Sequence, residues 1–193
     1  MDYSNEEIKA YFKQLDRSKF IDDQKEHAAL DRPLPIGHGQ TISQPTLVLN
    51  MTLELELNKK DKVLEIGTGS GFQTALLSRF SSSVYTVERI RALHDSAKER
   101  LTGLGYSNVH FHYGDGHSGW EENAPYDKIM VTAAANEIPE TLTDQLAPGG
   151  KMVIPVGNFH MQELKLVEKD ENGNISETVI EYVMFVEFRK DVE

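Results

Sequence analysis

The chain has 193 residues, 39% hydrophobic and 26% charged, a globular profile with enough length for one full core. No apolar run approaches the roughly 20 residues of a membrane helix, and the acidic, polar N-terminus does not read as a secretory signal. A net charge of −11 argues against a nucleic-acid partner, while the absence of cysteine excludes disulfides and thiol catalysis and is compatible with a cytoplasmic home.

In chain order, Ser4 and Glu7 have capping-box spacing, and Ile8, Tyr11, Phe12 and Leu15 share one face, which predicts a first helix. "PLPIGHGQTISQPT", residues 33–46, is rich in Pro, Gly and polar residues and reads as an ordered loop. Thr46 to Leu57 is apolar at helical spacing. From residue 60 to 156 strands and helices alternate. "KVLEI", "SVYTVE", "NVHFHY", "YDKIMVTAA" and "KMVIPV" read as strands, the last after the turn "APGG". "FQTALLSRF", "RALHDSAKERLTGLG" and "PETLTDQL" read as helices. This alternation implies βαβ units and a Rossmann-like, doubly wound, mostly parallel α/β sheet with helices on both faces. Residues 161–193 read as antiparallel strands joined at "ENGN", where Asn172-Gly173 suits a type I′ turn. No linker or repeat interrupts the chain. It is expected to form a single domain over 1–193, with an N-terminal helix and covering loop (1–46), a cofactor-binding core (47–156) and C-terminal strands (157–193).

"VLEIGTGSG" carries the chemistry. Gly67, Gly69 and Gly71 form G-x-G-x-G between a strand and a helix. The dinucleotide fingerprint needs a further glycine where Phe72 stands, and no Gly-Lys-Ser/Thr follows for a phosphate loop. A Rossmann-like loop without phosphate demands fits S-adenosylmethionine. Backbone passing close to the ligand would involve the segment Glu65, Gly67, Thr68, Gly69, Ser70 and Gly71, with the Glu65 carboxylate facing the ammonium group. The competing reading is a purely structural turn. Glu88, at the end of the second core strand, stands where an acid accepts ribose hydroxyls. Asp115 and Gly116, in "GDG" after the third, stand where a side-chain oxygen could take the adenine amino proton. Ala133, Ala134 and Ala135 leave space rather than clamp a ring. His110, His112 and His117 are the nearest approach to a histidine cluster, and no metal site is assigned to them.

"PLPIGHGQTISQP", "VLEIGTGSGFQTALL", "GDG" and "APGGKMVIPVG", in this order, closely resemble the protein-L-isoaspartate O-methyltransferase family of class I S-adenosylmethionine-dependent methyltransferases, from about Arg32 to the C-terminus. The resemblance implies methyl transfer to the free carboxylate of L-isoaspartyl or D-aspartyl residues in damaged proteins and peptides, initiating their repair. An ionised carboxylate needs no general base, in keeping with the absence of an obvious one. The resemblance assigns Ser43 to the active site, has Gln40, Thr41 and Ile42 close over the cofactor, and carries Gln162 toward the site. The competing reading of Ser43 is a helix N-cap for an amide near Thr46. The implied partners are isoaspartyl polypeptides, with no nucleic acid, no membrane, and a monomer favoured. The chain departs from the family where Arg17 and Phe20 follow a single helix, where "FVEF" places Glu187 in a usual proline position, and at Phe72. Those departures keep open a small-molecule acceptor or a non-catalytic cofactor-binding role.

Overall fold

In the computed structural model, which describes residues 3–158 and 160–193, the chain enters through α1 (Asn5–Phe12). The capping box forms: the Glu7 amide donates to Ser4 Oγ at 3.3 Å and the Ser4 amide to the Glu7 carboxylate at 2.9 Å. The apolar face of the helix turns inward, with Ile8 buried, Tyr11 edge-on to Phe80 and Phe12 against Phe72.

Residues 33–46 are more than a loop. They contain an antiparallel hairpin, β1 (Leu34–Gly37) and β2 (Gln40–Ile42). Gly37, His38 and Gly39 all have positive φ (87°, 54° and 69°), and this left-handed run reverses the chain within three residues. The next helix, α2 (Pro45–Glu54), starts on a proline at its first turn, where the missing N–H costs nothing, and stops three residues short of Leu57.

The main sheet holds seven strands. β3 (Lys62–Ile66), β4 (Ser83–Glu88), β5 (Val109–Tyr113), β6 (Tyr126–Val131) and β7 (Leu146–Asn158) are parallel, and β8 (Met161–Lys169) and β9 (Ile175–Val183) continue antiparallel. Their order, β5-β4-β3-β6-β7-β8-β9, means the chain winds outward from β3 and then returns to β6 on its other side. Ligands of open α/β sheets bind outside the carboxyl ends of strands at such a switch point. Alternate residues feed two cores. Val63, Val84 and Met130 pack with residues of α1, α2, α3 (Phe72–Arg79) and α4 (Arg91–Gly103). Leu64, Ile66, Ile129 and Val131 pack with Leu142 of α5 (Glu140–Gln145). The expected α/β class therefore holds, with helices on both faces.

Two boundaries differ from expectation. β7 begins at Leu146, already paired with Tyr126, and runs to Asn158 because β8 pairs with it as far as Met161. The β8–β9 turn is not type I′, which needs positive φ at both central residues; Gly173 has φ 85° and Asn172 does not. Instead the Gly173 amide donates to the Asp170 carbonyl and the Asp170 amide to the Asn174 carbonyl, a three-residue loop ending in a left-handed glycine. Beyond β9 the chain crosses back over the sheet ends, where the Ala134 amide donates to Val186 O and the Phe188 amide to Ala134 O, both at 2.8 Å.

Candidate active site

The carboxyl ends of β3, β4 and β6, with the loop after β5, open into a cleft enclosing about 880 Å³ with its solvent-facing mouth. Ile66 to Ser70, Glu88, Gly116 and Thr132 form its floor. The β1–β2 hairpin, through Gln40 to Ser43, and the return segment Phe185 to Arg189 form its sides. The glycines are required by geometry. Gly67 has φ 93°, and a Cβ there would lie 2.4 Å from Thr132 Oγ1, which itself donates to the Gly67 carbonyl at 2.8 Å. Gly69 has φ 52°, and the nearest atom to a Cβ would be Ile36 Cδ1 at 3.6 Å, so bare backbone faces open space. Thr68 ties the loop down through a 2.6 Å hydrogen bond with Thr86, and the Ser70 carbonyl accepts from Arg100 at 3.0 Å.

Glu88 is buried beneath this loop. One carboxylate oxygen accepts from the Gly69 amide and the other from the Ile90 amide, both at 2.9 Å. Each oxygen keeps capacity for a further donor from the cleft. The wall has two cations, Arg89 and Arg189, ion-paired with Glu193 (3.5 Å) and Glu187 (3.2 Å), and no lysine among the described residues lines it. Apolar side chains, including Ile66, Val87, Leu93 and Phe188, cover the rest.

Several expected residues stand elsewhere. Glu65 does not face the cleft. It shares the face of β3 that Val63 presents to α3, is fully buried, and accepts from Thr74 and Thr86 hydroxyls at 2.6 Å each, while its second oxygen is buried without a partner. Burial pushes its pKa up to about 8. Gly71 is outside the wall as well: it opens α3 with φ 85°, and a Cβ there would press on Leu101 at 2.9 Å. Asp115 is engaged as a cap, accepting from the His117 amide at 2.9 Å and lying 3.2 Å from the His117 ring, so only its neighbour Gly116 reaches the wall. Gln162 is a buried cross-link. It donates to Asn158 O at 2.6 Å and accepts from the Phe185 amide at 2.7 Å, holding the return segment without touching the cleft. Of the three histidines, His110 stacks on Tyr85, His112 on Trp120 and His117 on Phe188.

A second cleft adjoins the first, and Thr41, Ser43, Thr132, Phe185 and Val186 line both. Ser43 thus stands where the two meet. Its hydroxyl makes no hydrogen bond among the described residues, so it does not cap α2. That task falls to Asp31, which accepts from the Thr46 amide (2.9 Å), the Thr46 hydroxyl (2.8 Å) and Gln44 (3.0 Å). The Ser43 backbone is fixed by Arg17. This buried guanidinium donates to the carbonyls of Ala28, Leu30, Arg32, Ile42 and Ser43 at 2.9–3.3 Å. Burying a guanidinium with only carbonyl partners is costly, and burial lowers its pKa. The return is that one rigid fork joins residues 28–32 to the hairpin exit at 42–43. Sequence reading gave Arg17 no role, since nothing local links it to Ser43. Thr132 and Asp31 were missed for the same reason: an acid fourteen residues before the helix start at Pro45 caps it only through the tertiary fold.

A family model described as protein-L-isoaspartate(D-aspartate) O-methyltransferase matches residues 3–193. The chain is 51% identical over 185 residues to a protein named protein-L-isoaspartate O-methyltransferase from Pseudomonas aeruginosa strain PAO1, covering 95% of this chain and 87% of that one. It is 50% identical over 184 residues to protein-L-isoaspartate O-methyltransferase 2 from a Polaromonas species, covering 94% and 87%. Among solved structures, one titled protein-L-isoaspartate O-methyltransferase matches with a TM-score of 0.84 at 27% identity, over 98% of this chain and 67% of that one. Another, from Plasmodium falciparum in complex with S-adenosyl-L-homocysteine, matches with a TM-score of 0.81 at 26% identity, over 99% and 93%.

Proposed function

The chain belongs to the protein-L-isoaspartate(D-aspartate) O-methyltransferase family, and from that premise we propose that its two adjoining clefts hold S-adenosylmethionine and an isoaspartyl residue, with Ser43 between them. Bound there, S-adenosylmethionine supplies a methyl group carried on a positively charged sulfur. The residues present suit it. Gly67 and Gly69 offer bare backbone, the Glu88 carboxylate offers free acceptor capacity for ribose hydroxyls, and the apolar wall suits an adenosine. The cations in that wall are already paired with acids, as expected for a ligand without phosphate.

On the acceptor side, the Ser43 hydroxyl holds one oxygen of the isoaspartyl carboxylate and leaves the other to attack. That carboxylate is ionised well below neutral pH, so no side chain has to take a proton. Rate is then gained by alignment and by exclusion of water. Arg17 and Asp31 serve alignment by fixing the backbone on either side of Ser43. Gln40 to Ile42 and Phe185 to Phe188 serve exclusion by walling the first cleft. The observation that carries this reading is a partner-free hydroxyl at the junction of two clefts. We read 1–193 as one catalytic unit acting as a monomer on polypeptides in the cytoplasm, with no nucleic-acid or membrane partner. The net charge of −11 supports the exclusion of nucleic acid.

The test is methyl transfer from labelled S-adenosylmethionine to two peptides that differ only in carrying an aspartyl or an isoaspartyl residue. Label should enter the isoaspartyl peptide alone. Equal labelling of both peptides, or of neither, would overturn the reading.

A further inference from the structure

The β8–β9 turn contains the one Asn-Gly pair in the sequence, Asn172-Gly173. Residues 170–174 are all exposed, and nothing lies within 4 Å of the position a Gly173 side chain would occupy. This juxtaposition bears on the chain's own chemistry. The Gly173 backbone nitrogen can attack the Asn172 side-chain carbonyl carbon; the new C–N bond closes a five-membered succinimide, and the side-chain nitrogen leaves as ammonia. Water then opens the ring. Opening at the backbone carbonyl leaves the chain running through the side-chain carbon and the α-carboxylate free, which is an isoaspartyl residue. Glycine lacks the side chain that hinders such an attack elsewhere: Asn174 is followed by β-branched Ile175 and Asn108 by Val109. The attacking Gly173 amide donates one hydrogen bond, to Asp170 O at 3.0 Å, and the Asp170 carboxylate accepts from the Asn172 and Asn174 amides at 2.8 Å each; these bonds lie at an exposed hairpin tip, where local opening is easiest. The sequence's Asp-Gly pair, Asp115-Gly116, which could close the same ring, is held differently: Gly116 is buried and the Asp115 carboxylate is engaged with His117.

The fold also fixes where this residue stands relative to the active site. β8 runs from Met161 to Lys169 and β9 returns from Ile175 to Val183. Met161 and Glu181 to Val186 line the second cleft, at the opposite end of these strands from the turn. Nine residues of strand separate the two by roughly 25 Å. We infer that Asn172-Gly173 is a self-damage site whose isoaspartyl form is a methyl acceptor for a second copy of this chain and never for its own active site. This rests on the proposed isoaspartyl methyltransferase reading. The cycle balances: the acceptor oxygen gains the methyl as the methyl–sulfur bond breaks with its electrons left on sulfur; the Gly173 nitrogen then displaces methanol from the ester, restoring the succinimide for hydrolysis. Because the turn is remote from both clefts, a damaged copy stays active and can methylate others.

The experiment incubates the purified full-length chain warm at mildly alkaline pH without cofactor. Peptide mass mapping follows conversion of Asn172 to the acid, and the aged chain is then given labelled S-adenosylmethionine with increasing amounts of fresh chain. The expected results are deamidation concentrated at Asn172 and labelling whose rate climbs with added fresh chain above the rate the aged copies sustain on one another. Aged Asn172→Gln chain should accept no more label than unaged chain, and the aged wild type should retain its turnover on an isoaspartyl peptide. Labelling of aged Asn172→Gln equal to wild type, an intact Asn172 after ageing, or a rate independent of added chain would each overturn the inference. An isoaspartyl peptide run alongside separates the two readings. If fresh chain methylates the peptide but not the aged chain, the self-damage site fails alone; if it methylates neither, the assigned reaction fails and the self-acceptor inference falls with it.

Discussion

On the glycine-loop side of the clefts, the facing groups are the backbone of Gly67 to Ser70 and the Glu88 carboxylate, at the ends of the paired strands β3 and β4 and tied to each other by Thr68 to Thr86 and Gly69 to Glu88. On the Ser43 side, the facing group is a single hydroxyl on a short hairpin exit. Its position depends on Arg17 and Asp31, 26 and 12 residues upstream. The first wall is built on one strand–loop–helix motif, and at Gly67 it has no room for a side chain. The second is a tertiary assembly and depends on a few side-chain bonds. Substitutions should therefore separate the two, with loss of cofactor binding on one side and loss of turnover on the other.

The largest separation is expected from Gly67→Val. A Cβ at this position would meet Thr132 Oγ1 at 2.4 Å, and φ 93° is strained for any residue with a side chain. Strain of about 1–3 kcal/mol plus the clash should weaken cofactor binding about a hundredfold or more by calorimetry. A folded variant with unchanged affinity would remove the loop from the cofactor site.

Next comes Glu65→Gln, a probe through pH of the buried strand β3 that carries this wall. Glu65 has an ordinary pKa near 4.5 when unfolded and about 8 in the folded chain, raised first by burial and then by Glu88. Between those values the unfolded chain loses a proton that the folded chain keeps, so this group's contribution falls as pH rises from about 4.5 to 8. Glutamine does not titrate. The stability of the variant relative to wild type should therefore improve by about 2–3 kcal/mol between pH 5 and pH 7, from 1.36 kcal/mol per unit. Urea unfolding at the two pH values measures it, and a difference independent of pH would show that Glu65 is ionised when buried.

The contrast between the walls also explains what could be read from the sequence. Strands β3 and β4 match their expected bounds residue for residue, because apolar runs closed by turn signals are a local pattern. Gly67 to Ser70 and Glu88 meet in the cleft as expected for the same reason. Glu65 was misread because both faces of a parallel sheet are buried, so β3 gives no polar alternation to say which way its fourth residue points. Gln162 and Asp115 were misread because their partners are set by hairpin register and by a local cap that spacing alone does not reveal. The hairpin at 34–42 was hidden because two strands of four and three residues, rich in Pro and Gly, leave almost no periodicity. Arg17 was the least legible of all, since its five carbonyl partners are a property of the folded chain.

A smaller effect is expected from Arg17→Lys, which keeps the charge and removes the fork. One ammonium with three donors cannot reach five carbonyls, and leaving buried acceptors unmatched should cost about 2 kcal/mol of stability. The displacement of Ser43 should lower kcat roughly tenfold while cofactor affinity stays within about twofold. Equal loss of both would mean that Arg17 supports the whole cleft rather than the acceptor side.

The smallest and most discriminating effect comes from pairing Ser43→Ala with Asp31→Ala. Both residues precede the start of α2, and the sequence allowed Ser43 to be either a reactive-site group or a cap. Asp31 occupies the cap, with three bonds to Thr46 and Gln44, and the Ser43 hydroxyl has none among the described residues. Removing Asp31 should therefore cost about 1 kcal/mol of folding stability, the usual worth of an N-cap, with kcat lowered only as far as Ser43 shifts. Removing the Ser43 hydroxyl should leave stability within about 0.5 kcal/mol, as for a half-exposed group that bonds nothing. It should lower single-turnover methylation about tenfold, the result of losing one orienting hydrogen bond worth roughly 1–2 kcal/mol in the transition state. Thermal unfolding and single-turnover rates on both variants give four numbers. A crossed pattern, with stability lost at 31 and rate lost at 43, assigns the two roles. Stability lost at Ser43 with its rate retained would return Ser43 to the helix and leave the second cleft without its orienting group.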